Sequence, residues 1–110
     1  MTLIELRNKM LECASADTAY CSEFYEGGLH DHCFAAAYVV QQYFGGEIVC
    51  GKIEHDRHAW NLLPNGTYVD LTSCQFGGDG FTPLTDKCKI FKPKTINKRF
   101  QEFLNRVQSE

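Results

Sequence analysis

Three observations predict an α+β domain, with a central buried helix packed on a small antiparallel sheet and helices at both termini. The run CFAAAYVVQQYF, beginning at Cys33, is apolar at almost every position from Phe34 to Val40, which puts a helix inside the domain rather than on its surface. Short β-patterned runs separated by turn residues follow it. Both ends of the chain carry apolar residues at helical spacing. Helix, buried helix, meander of strands and helix, in that order, describe an α+β fold.

Each element has a local reason. Thr2 and Glu5 form a capping-box pair, and Leu3, Leu6 and Met10 follow at helical spacing, predicting a helix over residues 3–13. Residues 14–31 show no clear period, and YEGGLHD reads as a loop ending on Asp31 as an N-cap. The central helix then covers 32–44 and stops at Gly45 and Gly46. EIVCGKI (47–53) reads as a strand, EHDR as a loop, 58–63 as a second strand and 67–72 as a third. CQFGGDGFTP is too rich in glycine for regular structure. Residues 89–91 add a short strand, and Thr95 caps a last helix with apolar positions Ile96, Phe100, Phe103, Leu104 and Val107.

Length and composition bound the rest. Residues 1–110 make one domain with a modest core, and 44% hydrophobic with 23% charged residues describe a globular chain. A net charge of −3 gives no reason to expect a nucleic-acid partner. The late basic stretch DKCKIFKPKTINKR reads as a solvated face, with anion binding as the lesser reading. No run approaches the ~18 apolar residues of a membrane span, and MTLIELRNKM reads as an amphipathic helix rather than a secretory signal. A monomer or small homo-oligomer with no membrane partner and no cofactor is expected.

Six cysteines, an even number, invite a disulfide framework. With no export signal and a sufficient core, they read instead as reduced thiols of a cytoplasmic protein. Cys13 and Cys50 sit in or beside apolar runs as small hydrophobes. Cys21, Cys74 and Cys88 are spare, with a redox-regulated disulfide near Cys33 as a minor option. No CxxC pair occurs.

The chemistry concentrates in HAWNLLPNGTYVD, His58 to Asp70, read together with Cys33. Pro64, Asn65 and Gly66 suit a three-residue loop with a glycine bulge, which pairs Leu63 with Thr67. Trp60 then lies opposite Asp70, and His58 and Asp70 become diagonal neighbours on one face. A two-residue Asn-Gly loop would instead turn His58 to the other face. Cys33, in the first turn of a helix, meets unpaired N–H groups and the positive dipole end, which favour a thiolate. The same amides suit the oxyanion of a tetrahedral intermediate. Thiol, imidazole and carboxylate in this order form the layout of a cysteine-dependent acyl-transfer site. Cys33 is the nucleophile, His58 the base that becomes the acid, and Asp70 the group that orients His58. Asn61 and Gln75 rank as supporting polar residues.

The runs HCFAAAYVVQQYFGGEIV and HAWNLLPNGTYVDLTSCQF, covering residues 32–76, closely resemble the small bacterial and phage-associated YunG-like proteins. That resemblance implies a papain-like or transglutaminase-like core whose Cys-His-Asp triad maps onto Cys33, His58 and Asp70. The chain departs from the pattern in placing His32 before the cysteine, where a small or amide residue is common.

Plainer readings stand beside these. Cys33 could be a packed core thiol, His58 a structural histidine bonded to Asp70 alone, and Asp70 a loop cap. Trp60 reads as core, or as a pocket wall. His30, His32, Cys33, His55 and His58 form a second grouping with zinc-type donors, although HxHC in a loop is not a recognised site and no metal is expected. The expected function is a cysteine-dependent hydrolase or acyltransferase acting on an amide, ester or thioester bond of a small-molecule or peptide substrate. The alternative is a non-catalytic ligand- or partner-binding protein on the same fold, such as a phage-borne inhibitor or sponge.

Overall fold

The structure is a computed structural model and describes residues 1–20, 23, 25–95 and 97–109. Cys21 and Ile96 therefore lie outside the described residues. Among the described residues, three α-helices and a four-stranded antiparallel sheet make up the α+β fold: α1 (Leu3–Cys13), α2 (Cys33–Phe44), β1 (Glu47–Ile53), β2 (Asp56–Leu62), β3 (Tyr68–Val69), β4 (Lys89–Ile90) and α3 (Lys98–Ser109). A one-turn 3-10 helix at Ser73–Phe76 lies between β3 and β4. The strand order is β3-β2-β1-β4. Among the described residues, no helix is long and apolar enough to cross a membrane.

The capping box of α1 is formed, with Thr2 Oγ1 accepting from the Glu5 N–H and Glu5 Oε1 from the Thr2 N–H. Leu6 and Met10 of α1 are buried against α2 and α3, where Val39, Phe103 and Val107 are also excluded from solvent. The run Ala35–Ala36–Ala37 gives α2 a slim waist over Ile48 and Ala59 of the sheet. Asn61 Nδ2 donates to the Ala37 carbonyl at 2.9 Å, tying β2 to α2 in the interior. Tyr38 Oη donates to Gln101 Oε1 at 3.2 Å and ties α2 to α3. Arg106 of α3 reaches Ser15 and Asp17, which fastens the chain just after α1.

The β2–β3 turn has the expected form. Leu63 N–H donates to the Thr67 carbonyl at 2.8 Å and Gly66 N–H to the Leu63 carbonyl at 2.9 Å, with Gly66 at φ 88. Asn61 then pairs with Val69 and Leu62 with Tyr68, the register that Pro64 favours.

Four expectations are corrected. The third strand is confined to Tyr68–Val69 instead of 67–72, because Asp70 gives its N–H to the Phe81 carbonyl at 2.9 Å and leaves the ladder. EHDR is a loop only at Glu54 and His55: β1 and β2 pair down to Ile53 opposite Asp56, so Asp56 and Arg57 belong to β2, and Glu54 turns the chain at φ 58. Asp31 is not the cap of α2; it takes φ 59, and His32 occupies the N-cap with no side-chain cap bond. Thr95 does not cap α3. Asn97 accepts the Arg99 N–H on Oδ1 at 2.8 Å, and the helix begins at Lys98.

Candidate functional site

β2 carries His58, the residue after β3 is Asp70, and the first residue of α2 is Cys33. The hairpin register makes His58 and Asp70 diagonal neighbours, and His58 Nε2 lies 2.7 Å from Asp70 Oδ2. Both side chains are buried, at 0% and 1% exposure. Asp70 Oδ1 accepts from the Thr72 N–H at 3.1 Å and from Thr72 Oγ1 at 3.2 Å, so both carboxylate oxygens are occupied and the group is fixed. The His58 ring stacks on Trp60 at 5.8 Å and meets the edge of Phe76 at 4.9 Å. Aromatic walls on two sides leave the imidazole little freedom to rotate.

His58 Nδ1 is buried and carries no hydrogen bond. Burial by itself pushes the His58 pKa down. The hydrogen bond to Asp70, and then the Cys33 thiol beside the ring, outweigh burial and hold it up at about 9. At neutral pH this imidazole is therefore cationic. Its neighbours are an anchored carboxylate and a half-buried thiol.

A cleft of about 600 Å³ opens over the thiol. Cys33 and His58 line it together with the aromatic side chains Phe34, Phe76, Phe91 and Phe100, the cations Arg57 and Arg99, and the carboxylates Asp31 and Asp56. Asp70 is not in the lining and stands behind His58. A family model described as YunG protein matches residues 2–110. The chain belongs to the YunG protein family. No curated protein and no solved structure gives a match.

The supporting residues of this YunG family member separate into two groups. Gln75 lines the cleft, and its Nε2 donates to the Leu29 carbonyl at 2.7 Å, joining the one-turn helix after Asp70 to the loop that precedes Cys33. His32, Trp60 and Asn61 do not line the cleft. The His32 ring is fully buried between Tyr25 and Phe103, with Nδ1 at 2.7 Å from the His30 carbonyl and Nε2 at 2.7 Å from Thr18 Oγ1. The His30 carbonyl makes Nδ1 a donor, and burial pushes the ring's pKa below the usual histidine range. Trp60 is a core residue beneath His58. Asn61 spends its amide on α2.

The zinc-type grouping is not assembled. His32 is committed to Thr18, His55 stands exposed at the β1–β2 turn, and among the described residues no three His, Cys, Asp or Glu side chains converge on a metal position.

Sequence reasoning weighed Asp70 beside Thr72 as a plain loop or turn cap, a bond that is formed, but overlooked that it anchors the carboxylate behind His58. It also overlooked Phe34 and Arg57, where the guanidinium carbon sits 5.5 Å over the ring centroid. Phe91, Arg99 and Phe100 bring the C-terminal segment to the cleft, and no local spacing announces that contact.

Proposed function

We propose that the protein is a cysteine-dependent hydrolase or acyltransferase with a papain-like or transglutaminase-like core, acting on an amide, ester or thioester carbonyl. The observation that carries this reading is the buried His58, hydrogen-bonded to an anchored Asp70 and adjoining the Cys33 thiol at the floor of a cleft. An isolated core histidine needs no such partners on both sides.

In the proposed reaction the Cys33 sulfur, as the thiolate paired with the His58 imidazolium, attacks the carbonyl carbon. The backbone N–H groups at the start of α2 receive the developing oxyanion. When the tetrahedral species collapses, the bond to the leaving group breaks and His58 gives it a proton. A Cys33 thioester and neutral His58 remain. Water, or an acceptor amine, then attacks the thioester while His58 takes its proton. Expulsion of Cys33 as thiolate restores the ion pair and releases the acid or the new amide. Asp70 keeps the ring oriented through both halves and offsets its charge. Cys33, Cys50, Cys74 and Cys88 carry free thiols, which suits a reducing compartment, and a cytoplasmic location is part of the proposal.

Alkylation by iodoacetamide at neutral pH, with peptide mapping of all six cysteines, tests this reading. Cys33 should label faster than every other thiol, lose that advantage in His58→Ala, and keep only part of it in Asp70→Asn. Cys33 labelling no faster than exposed Cys74 would overturn the enzyme reading and leave the cleft as a ligand- or partner-binding feature.

A further inference from the structure

On the sheet face beside the cleft, Lys52 of β1 stands directly opposite Arg57 of β2, and Cys50 stands directly opposite Lys89 of β4. Cys50 and Lys52 are two residues apart on one strand and share a face, so the three cations project from the same side of the sheet. Together with Cys50 and Gly51 they line a concavity of about 230 Å³ that contains no carboxylate. Like charges directly opposite each other on neighbouring strands are destabilising. Among the described residues no acid pairs with any of the three. Asp56, the adjacent carboxylate, alternates to the other side of β2; it lines the main cleft, as Arg57 does, but not this hollow. A solvated basic face disperses its charges on a convex surface; here they converge on a hollow.

Arg57 belongs to both cavities, and its guanidinium lies over Phe34, the residue that follows Cys33. We infer that Lys52, Arg57 and Lys89 form an oxyanion subsite that holds a carboxylate or phosphate group on the substrate whose carbonyl is presented to Cys33. This assignment rests on the proposed acyl-transfer reading and narrows its substrates to anionic ones. It also gives a task to Lys89, part of the basic stretch of the C-terminal third.

Two measurements on the full chain at low ionic strength test it. In the first, amide resonances are followed during titration with inorganic phosphate and, separately, with succinate. Saturable shifts at Cys50, Lys52, Arg57 and Lys89, abolished in Lys52→Gln/Arg57→Gln, are expected; saturation by one anion only would assign the subsite to that group. Shifts that never saturate, or that persist in the double variant, would overturn the subsite. In the second, Cys33 is alkylated with anionic iodoacetate and neutral iodoacetamide. The ratio of the two rates should fall by about threefold or more in the double variant, and an unchanged ratio would detach the subsite from the thiol. The phosphate titration does not need a reactive cysteine. A sluggish Cys33 with saturable phosphate binding would sink the acyl-transfer reading alone, and a fast Cys33 without binding would sink the subsite alone.

Discussion

Thr72 holds Asp70 Oδ1 with two hydrogen bonds, from its N–H and its hydroxyl, and so leaves Oδ2 free for His58. The backbone bond survives substitution and the hydroxyl bond does not. Thr72→Val should therefore loosen the carboxylate without releasing it. A buried hydrogen bond of this kind is worth about 1 kcal/mol, or roughly fivefold if the loss is felt in a rate. Cys33 alkylation in Thr72→Val should slow by about that factor, while Thr72→Ser, which keeps the hydroxyl, should stay near wild type.

Two buried histidines should shape the pH dependence of stability with opposite signs. His58 is held at about 9, above the ~6.5 of an unfolded histidine, so the folded chain binds its proton more tightly. That stabilisation is complete below about pH 6.5 and is lost as pH rises through about 9. Urea unfolding should show the advantage of wild type over Asp70→Asn shrinking across this window, by at most about 1.4 kcal/mol per pH unit. A constant gap would mean that the pair does not carry the proton.

His32 acts at the other end of the scale. Burial lowers its pKa, so the unfolded chain takes up the proton first, and stability falls as pH drops below about 6.5. His32→Asn should be less stable than wild type near neutrality, since it disturbs the bonds to Thr18 and the His30 carbonyl. Its melting temperature should also fall less steeply on acidification. Equal acid slopes in the two proteins would contradict the assignment.

Asn61 should prove to be a stability residue. Asn61→Ala leaves the Ala37 carbonyl with one partner fewer and opens a hole between β2 and α2, costing on the order of 2 kcal/mol in urea unfolding. Cys33 alkylation of the folded variant should match wild type, because Asn61 lies outside the cleft lining.

The paired glycines after α2 should differ sharply. A Cβ on Gly45 would meet only Pro64 Cγ at 3.5 Å, whereas on Gly46 it would stand 2.2 Å from the Leu62 carbonyl oxygen. Both residues have positive φ, 77 and 82. Gly45→Ala should cost about 1 kcal/mol from backbone strain alone, and Gly46→Ala several times more, because β2 must shift. Thermal unfolding of the two variants measures the difference.

Which parts of this were legible beforehand follows from the range of the forces involved. Pro64, Asn65 and Gly66 determine the hairpin register among themselves, so the meeting of His58 and Asp70 could be read from a few adjacent residues. The capping box of Thr2 and Glu5 was legible for the same reason. Asp31 failed as a cap because the burial of His32 depends on Thr18, Tyr25 and Phe103, which come from separate parts of the chain. The third strand ended early because Phe81, on a distant loop, takes the Asp70 N–H. The left-handed turn at Glu54 has no glycine to announce it. The C-terminal wall of the cleft exists only through tertiary packing, to which local periodicity is blind.

The four-stranded sheet is asymmetric in a way that bears on how copies of the chain meet. Its two inner strands are seven residues long, while each outer strand, β3 and β4, pairs over only two. An approaching strand finds a row of unpaired backbone groups too short to template a continuous ladder, and on the β4 side it also meets the Lys89 charge. The sheet thus ends in blunt margins, which protect a β-rich centre from edge-to-edge growth into fibrils even where the protein is concentrated.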